Sequence, residues 1–206
     1  MTLQELFTRQ GEWLFRHRSH MPLALTPLLL ITFVYTEPII QSSNAAFISA
    51  FRTLCVLISV AGLLIRVLIV GFVPKGTSGR NTGGQKANSL NTTGIYSVVR
   101  HPLYLANFMI YFGVVLYTLV WCFILISILS FIAYYERIMA RDEEFLQEKF
   151  GEAFTQWAER TPAFFPNLKL WKKPELKFSI LSMLNREHST FMTMVTAFTF
   201  THYGAD

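Results

Sequence analysis

Apolar positions along this chain fall into long blocks, not short periodic runs. Residues 22–40, 45–73 and 103–135 carry almost no charge, and polar clusters bound each of them. A membrane-spanning helix needs about 20 consecutive apolar residues. The block at 22–40, opened by Pro22 and closing near Glu37-Pro38, has that length, and the block at 45–73 exceeds it. As a single helix, residues 103–135 would run about 50 Å at about 1.5 Å per residue. The hydrocarbon core is only about 30 Å thick. The pattern therefore predicts a tight helical hairpin that turns near Tyr117–Trp121.

The flanking segments complete the pattern. Residues 1–20 read as an amphipathic helix on the membrane surface. Leu3, Leu6, Phe7, Trp13, Leu14 and Phe15 form its apolar side, and its arginines face lipid phosphates. The apolar stretch that follows is too long for a signal-peptide core and reads as a retained anchor. Residues 74–100 form a polar loop with Lys75, Arg80, Lys86 and Arg100, no acidic residue, and glycines at 76, 79, 83 and 84. Residues 136–158 read as one charged helix leaving the membrane. Glu136, Ala140 and Glu143 share one face, and Arg137, Arg141, Glu144 and Glu148 form a neighbouring stripe. Thr161-Pro162 and Pro166 end it. Residues 176–203, interrupted by Asn185-Arg186-Glu187-His188, read as two short helices, the last (Thr190–His202) in or against the membrane.

Composition agrees with this pattern. The chain has 206 residues, 52% hydrophobic and 15% charged, far below the usual charged fraction of about 25%. The expected fold is an all-α integral membrane bundle of four to five spans with a cytoplasmic C-terminal helical cap. It is one membrane domain: an interfacial helix (1–20), two supporting spans (22–73), a core hairpin and cap (90–167) and C-terminal helices (176–203). The net charge of +5 comes from loops beside apolar runs. That fits the positive-inside rule and places those loops in the cytoplasm, with no call for a nucleic-acid partner. It also discounts Asn91-Thr92-Thr93 as a glycosylation acceptor. Arg52 reads as an interface anchor. Arg66 reads equally as an anchor or as a charge facing a polar site. Cys55 and Cys122 lie in apolar runs and read as packing residues, and no Cys/His spacing suits a metal.

The chemistry concentrates at one end of the hairpin. Arg100, His101 and Tyr104 open its first helix, and Glu136, Arg137, Glu143 and Glu144 follow its second. An antiparallel hairpin brings these clusters together at the membrane surface. There is no glycine-rich phosphate loop, Walker motif or nucleophile triad to compete with them. Taken singly, Arg100 also reads as a membrane anchor, His101 before Pro102 as a helix cap, and Glu143-Glu144 as a solvated face. Together they suit a charged, water-soluble cofactor meeting a lipid-dissolved substrate. The carboxylates suit a ribose diol or an amino group. The rings suit a purine or a cation, and an arginine fork suits a carboxylate or phosphate.

The order Gly94-x-Tyr96-x-x-x-Arg100-His101-Pro102-x-Tyr104, a hairpin, Glu136-Arg137, Glu143-Glu144, Phe150-Gly151 and Pro166 resembles the isoprenylcysteine carboxyl methyltransferase superfamily, which includes phospholipid methyltransferases. The resemblance covers about residues 90–167. It implies an integral membrane methyltransferase with S-adenosylmethionine as cofactor. Carried over by position, Arg100, His101, Tyr104, Glu143 and Glu144 bind the cofactor, and Arg137 with Glu136 faces the methyl acceptor. Two departures stand out: Phe154 and Trp157 where the family often has Tyr, and Arg141-Asp142 just before the acidic pair.

The implied acceptor is a lipid or lipid-linked molecule methylated at a carboxylate, phosphate or amine. Arg66, Arg100, Arg137 and Arg141 make the mouth basic and lean the choice toward an anionic acceptor. The expected setting is the bacterial inner membrane in preference to the endoplasmic reticulum. The competing reading is a non-catalytic membrane sensor or assembly protein with a nucleoside-type pocket. A transporter is disfavoured, because the hairpin holds no charge at depth.

Overall fold

The computed structural model describes residues 3–17, 25–73 and 87–204. The glycine-rich, basic stretch at 74–86 and the helix-opening Pro22 lie outside the described residues. Among the described residues, seven helices follow in order: α1 (Leu3–His17), α2 (Thr26–Ser42), α3 (Ala45–Phe72), α4 (Pro102–Tyr117), α5 (Trp121–Phe150), α6 (Glu152–Arg160) and α7 (Ile180–Tyr203). Short 3-10 turns at Ile95–Ser97 and Leu168–Leu170 punctuate the connections. Among the described residues, two helices, α3 and α5, are long and apolar enough to cross a membrane, and α4 is a shorter apolar helix. Val34, Leu57, Leu64 and Leu129 are exposed on α2, α3 and α5, as lipid-facing side chains would be.

Helix ends follow local chemistry. The Asn44 side chain caps α3, accepting from the amides of Ala46 and Phe47 at 2.9 and 3.2 Å. Pro102 opens α4, where a missing N–H costs nothing. The turn between α4 and α5 is Thr118–Val120, where the sequence places it. Thr36 of α2 donates its hydroxyl to the Thr118 carbonyl at 2.9 Å and ties that turn down.

Helices α3, α4 and α7 pack as a group, α1 and α4 lie on α5, and α2 touches α5. The α3–α4 seam is close. A Cβ at Gly113 would fall 2.2 Å from Ser59 Oγ and 2.4 Å from the Cys55 carbonyl oxygen, and one at Gly62 would fall 2.7 Å from the Ala106 carbonyl oxygen. Small residues let two backbones approach where no hydrophobic effect drives them together. Ser59 Oγ donates to the Ile110 carbonyl across the seam at 2.8 Å.

Three expectations change, and α1 and Arg52 gain partners. The charged segment 136–158 is not one helix: α5 runs unbroken from the apolar region to Phe150, and Gly151, at φ 53° and ψ −126°, turns the chain into α6. That backbone region is open to glycine and strained for other residues. Residues 176–203 form one helix from Ile180, not two, because Glu187 finds a partner on α3 and the polar interruption need not break the helix. The N-terminal helix docks on α5, with Phe15 buried, and Gly11 meets the Arg137 backbone so closely that a Cβ would lie 2.1 Å from its carbonyl oxygen. Arg52 finds partners within the bundle, at the end of α4 and near the end of α7. Its guanidinium lies 4.7 Å from the Tyr117 ring centroid and 3.5 Å from His202 Nδ1. Cys55 is buried, but Cys122 is exposed.

Candidate functional site

The site forms where the segment before α4 meets the charged end of α5. Chain leaving α6 runs back across that segment and holds it. The amides of Arg100 and His101 donate to the carbonyls of Pro162 and Ala163 at 2.8 and 3.1 Å, and Asn167 donates to the Val98 carbonyl at 2.9 Å. Trp157 Nε1 donates to the Tyr96 carbonyl at 3.3 Å, so this departure from the family pattern has a structural role here. Gly94 pairs with Lys172 as an isolated antiparallel bridge.

Arg100, His101 and Glu143 come together. Glu143 Oε1 lies 2.8 Å from His101 Nε2 and 3.1 Å from Arg100 Nη1. The His101 side chain makes no helix-capping bond, so its ring is committed to Glu143. Burial pushes the Glu143 carboxyl up. The hydrogen bond and charge of His101, with the Arg100 charge, outweigh that and hold it below the ordinary carboxylate value. Arg100 Nε is buried without a hydrogen-bond partner, a donor left over after Glu143 is satisfied.

Tyr104 stacks on His101 with centroids 5.6 Å apart, and it touches Tyr135 at 4.9 Å. Its hydroxyl donates to Asp142, the residue just before the acidic pair. Glu144 instead pairs with Arg141 at 2.7 Å on its own helix. Arg137 faces α1: Nε donates to Gln10 Oε1 at 2.7 Å, and the guanidinium lies 4.7 Å from the Phe7 ring centroid. Arg137 and Glu143 stand six positions apart on the helix, which puts them on different faces. Glu136 is exposed. The structure thus joins Arg100, His101, Tyr104 and Glu143. It gives Glu144 and Arg137 other partners and leaves Glu136 exposed, two turns from Glu143 on the same face.

A second group adjoins the first. Arg66 of α3 forks onto Glu187 of α7, Nε to Oε2 at 2.7 Å and Nη2 to Oε1 at 2.9 Å, and also donates to Asn107 Oδ1. Asn107 Nδ2 donates to the Tyr135 hydroxyl at 3.3 Å. Tyr96 sits against this group. Burial and then the Asp142 charge raise its hydroxyl well above the ordinary value, against the opposing pull of Arg186 and Arg66, so it stays a neutral donor. Sequence reasoning missed Asn107, Tyr135 and Glu187, and named Asp142 only as a departure beside the acidic pair. Asn107 carried a signal, being a polar residue three positions after Tyr104 on an otherwise apolar helix. Tyr135 carried one too, one heptad before Asp142. Glu187 carried none, because its role depends on α7 returning to α3.

These pairings change the electrostatics. Carboxylates neutralise Arg66, Arg100 and Arg141. The basic mouth that leaned toward an anionic acceptor is largely cancelled, and the lean loses its basis. Among the described residues, no group of three His, Cys, Asp or Glu side chains converges as a metal site would.

Phospholipid methyltransferase is the family whose pattern matches residues 51–153, from the start of α3 through the site-bearing end of α5. The chain belongs to the phospholipid methyltransferase family. Two curated relatives match over 89 residues, 43% of this chain and 41% of each relative. The cobalt-zinc-cadmium resistance protein CzcN of Cupriavidus metallidurans is 38% identical over that stretch. The nickel-cobalt-cadmium resistance protein NccN of Alcaligenes xylosoxydans xylosoxydans is 39% identical. The match thus spans less than half the length of either relative. No solved structure matches this family member.

Proposed function

We infer that this protein is a membrane methyltransferase that uses S-adenosylmethionine and acts on a lipophilic acceptor. The observation that carries the reading is the Arg100–His101–Glu143 cluster beside the Tyr104–Asp142 pair, inside the stretch that matches a methyltransferase family. The residues fit the cofactor. Two carboxylates accept from a ribose diol or an amino group. The stacked rings of His101 and Tyr104, with Tyr135 tilted beside them, offer faces to a purine and to a sulfonium cation. The spare Nε of Arg100 suits a carboxylate. When bound, S-adenosylmethionine supplies a methyl group already activated for transfer.

The chain's own work is then positioning. His101 and Arg100 fix Glu143, Asp142 fixes the Tyr104 ring, and the apolar body of α4 and of the first half of α5 keeps water from the membrane side. In this reading Glu144 closes the cofactor side. Arg137 and Glu136 face the acceptor, which places α1, through Gln10 and Phe7, beside the acceptor as well. A carboxylate or phosphate acceptor needs no base. An amine acceptor gives up a proton, and Glu136 is exposed to take it.

We place five spans in the membrane, α2, α3, α4, α5 and α7, with the site at the cytoplasmic face of a bacterial inner membrane. Support for α7 as a span comes from its antiparallel course along α3: Glu187 meets Arg66, and fifteen residues on, His202 meets Arg52. Bacterial relatives support the setting.

The test is transfer of labelled methyl from S-adenosylmethionine to lipid extracts, with Glu143→Gln and Arg137→Ala beside the wild type. Labelled lipid that both changes reduce supports the assignment. No transfer to any lipid fraction by folded protein that binds the cofactor favours a second reading: a non-catalytic membrane protein that senses the cofactor in a metal-resistance system. The names of the two relatives supply the link to metal resistance in that alternative.

A further inference from the structure

Helix α7 lies outside the stretch that matches the family, yet one of its side chains enters the polar cluster. Glu187 is only 4% exposed. A carboxylate accepts only, and a guanidinium donates only. With Nε and Nη2 of Arg66 committed to Glu187, Nη1 is left to find another acceptor, and it finds Asn107 Oδ1. That contact sets the orientation of the amide, because the flipped form would press an NH2 donor against a guanidinium donor. The Asn107 NH2 therefore faces α5 and donates to the Tyr135 hydroxyl at 3.3 Å. The Tyr135 ring lies against Tyr104, whose hydroxyl is on Asp142. An ordered series of contacts thus crosses α7, α3, α4 and α5.

We propose that Glu187 and Arg66 are positioning residues, and that through Asn107 they fix the Tyr135–Tyr104 aromatic wall, so that α7 sets how tightly the cofactor is held. The inference rests on the cofactor reading above. Anchoring α7 would need only the fork between Arg66 and Glu187. The extension through Asn107 to Tyr135 leads away from α7 and ends on the wall of the site. Glu187→Gln keeps the shape of the side chain but turns one acceptor of the fork into a donor. Tyr135→Phe keeps the ring and removes only the hydroxyl that receives Asn107.

The experiment uses the full chain in detergent with 3-fluorotyrosine at position 104. It compares the wild type, Glu187→Gln, Tyr135→Phe and the double variant. Fluorine NMR without ligand reports the Tyr104 environment, calorimetry with S-adenosylmethionine reports affinity, and melting temperature reports the fold. Each single change is expected to shift the resonance and weaken binding about three- to tenfold, with the double variant no weaker than the weaker single, as for residues in one network. An unmoved resonance and unchanged affinity in Glu187→Gln, with only a lower melting temperature, would overturn the proposal, as would effects that multiply. If Glu187→Gln does not fold, Tyr135→Phe carries the same test: an unmoved resonance overturns the proposal. Wild-type protein that binds no cofactor overturns the cofactor reading, and the resonance alone then decides the coupling between α7 and Tyr104.

Discussion

Helix α3 carries two arginines fourteen residues apart, about four turns, and each reaches toward α7. Their surroundings differ. At the site end, Arg66 has a carboxylate fork and an amide oxygen. At the far end, Arg52 has the face of Tyr117 and the Nδ1 of His202, and its Nε and Nη2 are buried without hydrogen-bond partners. His202 Nδ1 also lies 3.2 Å from the Tyr117 hydroxyl. Charge is matched by charge at one end and only by soft contacts at the other. Where a charge is paired and its remaining donors lead onward, it organises a site. Where it is neither, it fills a gap between helices.

Breaking the matched pair should have the largest effect. Glu187→Ala leaves the Arg66 cation without its partner among buried groups, and a loss of about 3–5 kcal/mol is expected by denaturation in detergent. Arg66→Leu should cost a similar amount, since it strands Glu187. Next comes the seam that joins the two ends. Gly113→Val drives a side chain into Ser59 and the Cys55 backbone, and about 1–3 kcal/mol should be lost, with both ends of α7 loosened together in hydrogen exchange. At the far end, Arg52→Leu removes a cation–π contact but also two unsatisfied buried donors. Stability should stay within about 1 kcal/mol of the wild type. A loss as large as that of Arg66→Leu would erase the contrast between the ends.

The smallest effect is in pH. Glu143 is held below the ordinary carboxylate value in the fold. Its contribution is therefore complete above that ordinary value and is lost as pH falls through the lowered one. Melting temperatures on acidification should fall more steeply for the wild type than for Glu143→Gln. Equal slopes would mean that the His101 and Arg100 contacts do not stabilise the charged form.

Local signals explain what was legible in the sequence. The α4–α5 turn needed only a block too long for one span and a break at Tyr117–Trp121. The juxtaposition of Arg100-His101 with Glu143 followed from the hairpin itself. Other features depend on contacts between distant segments. The docking of α1 on Arg137 rests on Gly11, which looked like any other residue of an amphipathic helix. The continuity of α7 rests on Arg66, 121 residues earlier. The break at Gly151 is one residue within a pattern that stays amphipathic on both sides. Asp142 took the Tyr104 hydroxyl because a shift of one residue turns a side chain about 100° around a helix, which spacing in sequence does not resolve.

The most direct test of the central claim is calorimetric binding of S-adenosylmethionine to detergent-purified protein, with Glu143→Gln and Tyr104→Ala alongside. The account predicts micromolar binding that both changes weaken. Absence of binding by a chain that melts cooperatively would contradict it and leave the site as a structural junction between α4, α5 and α7.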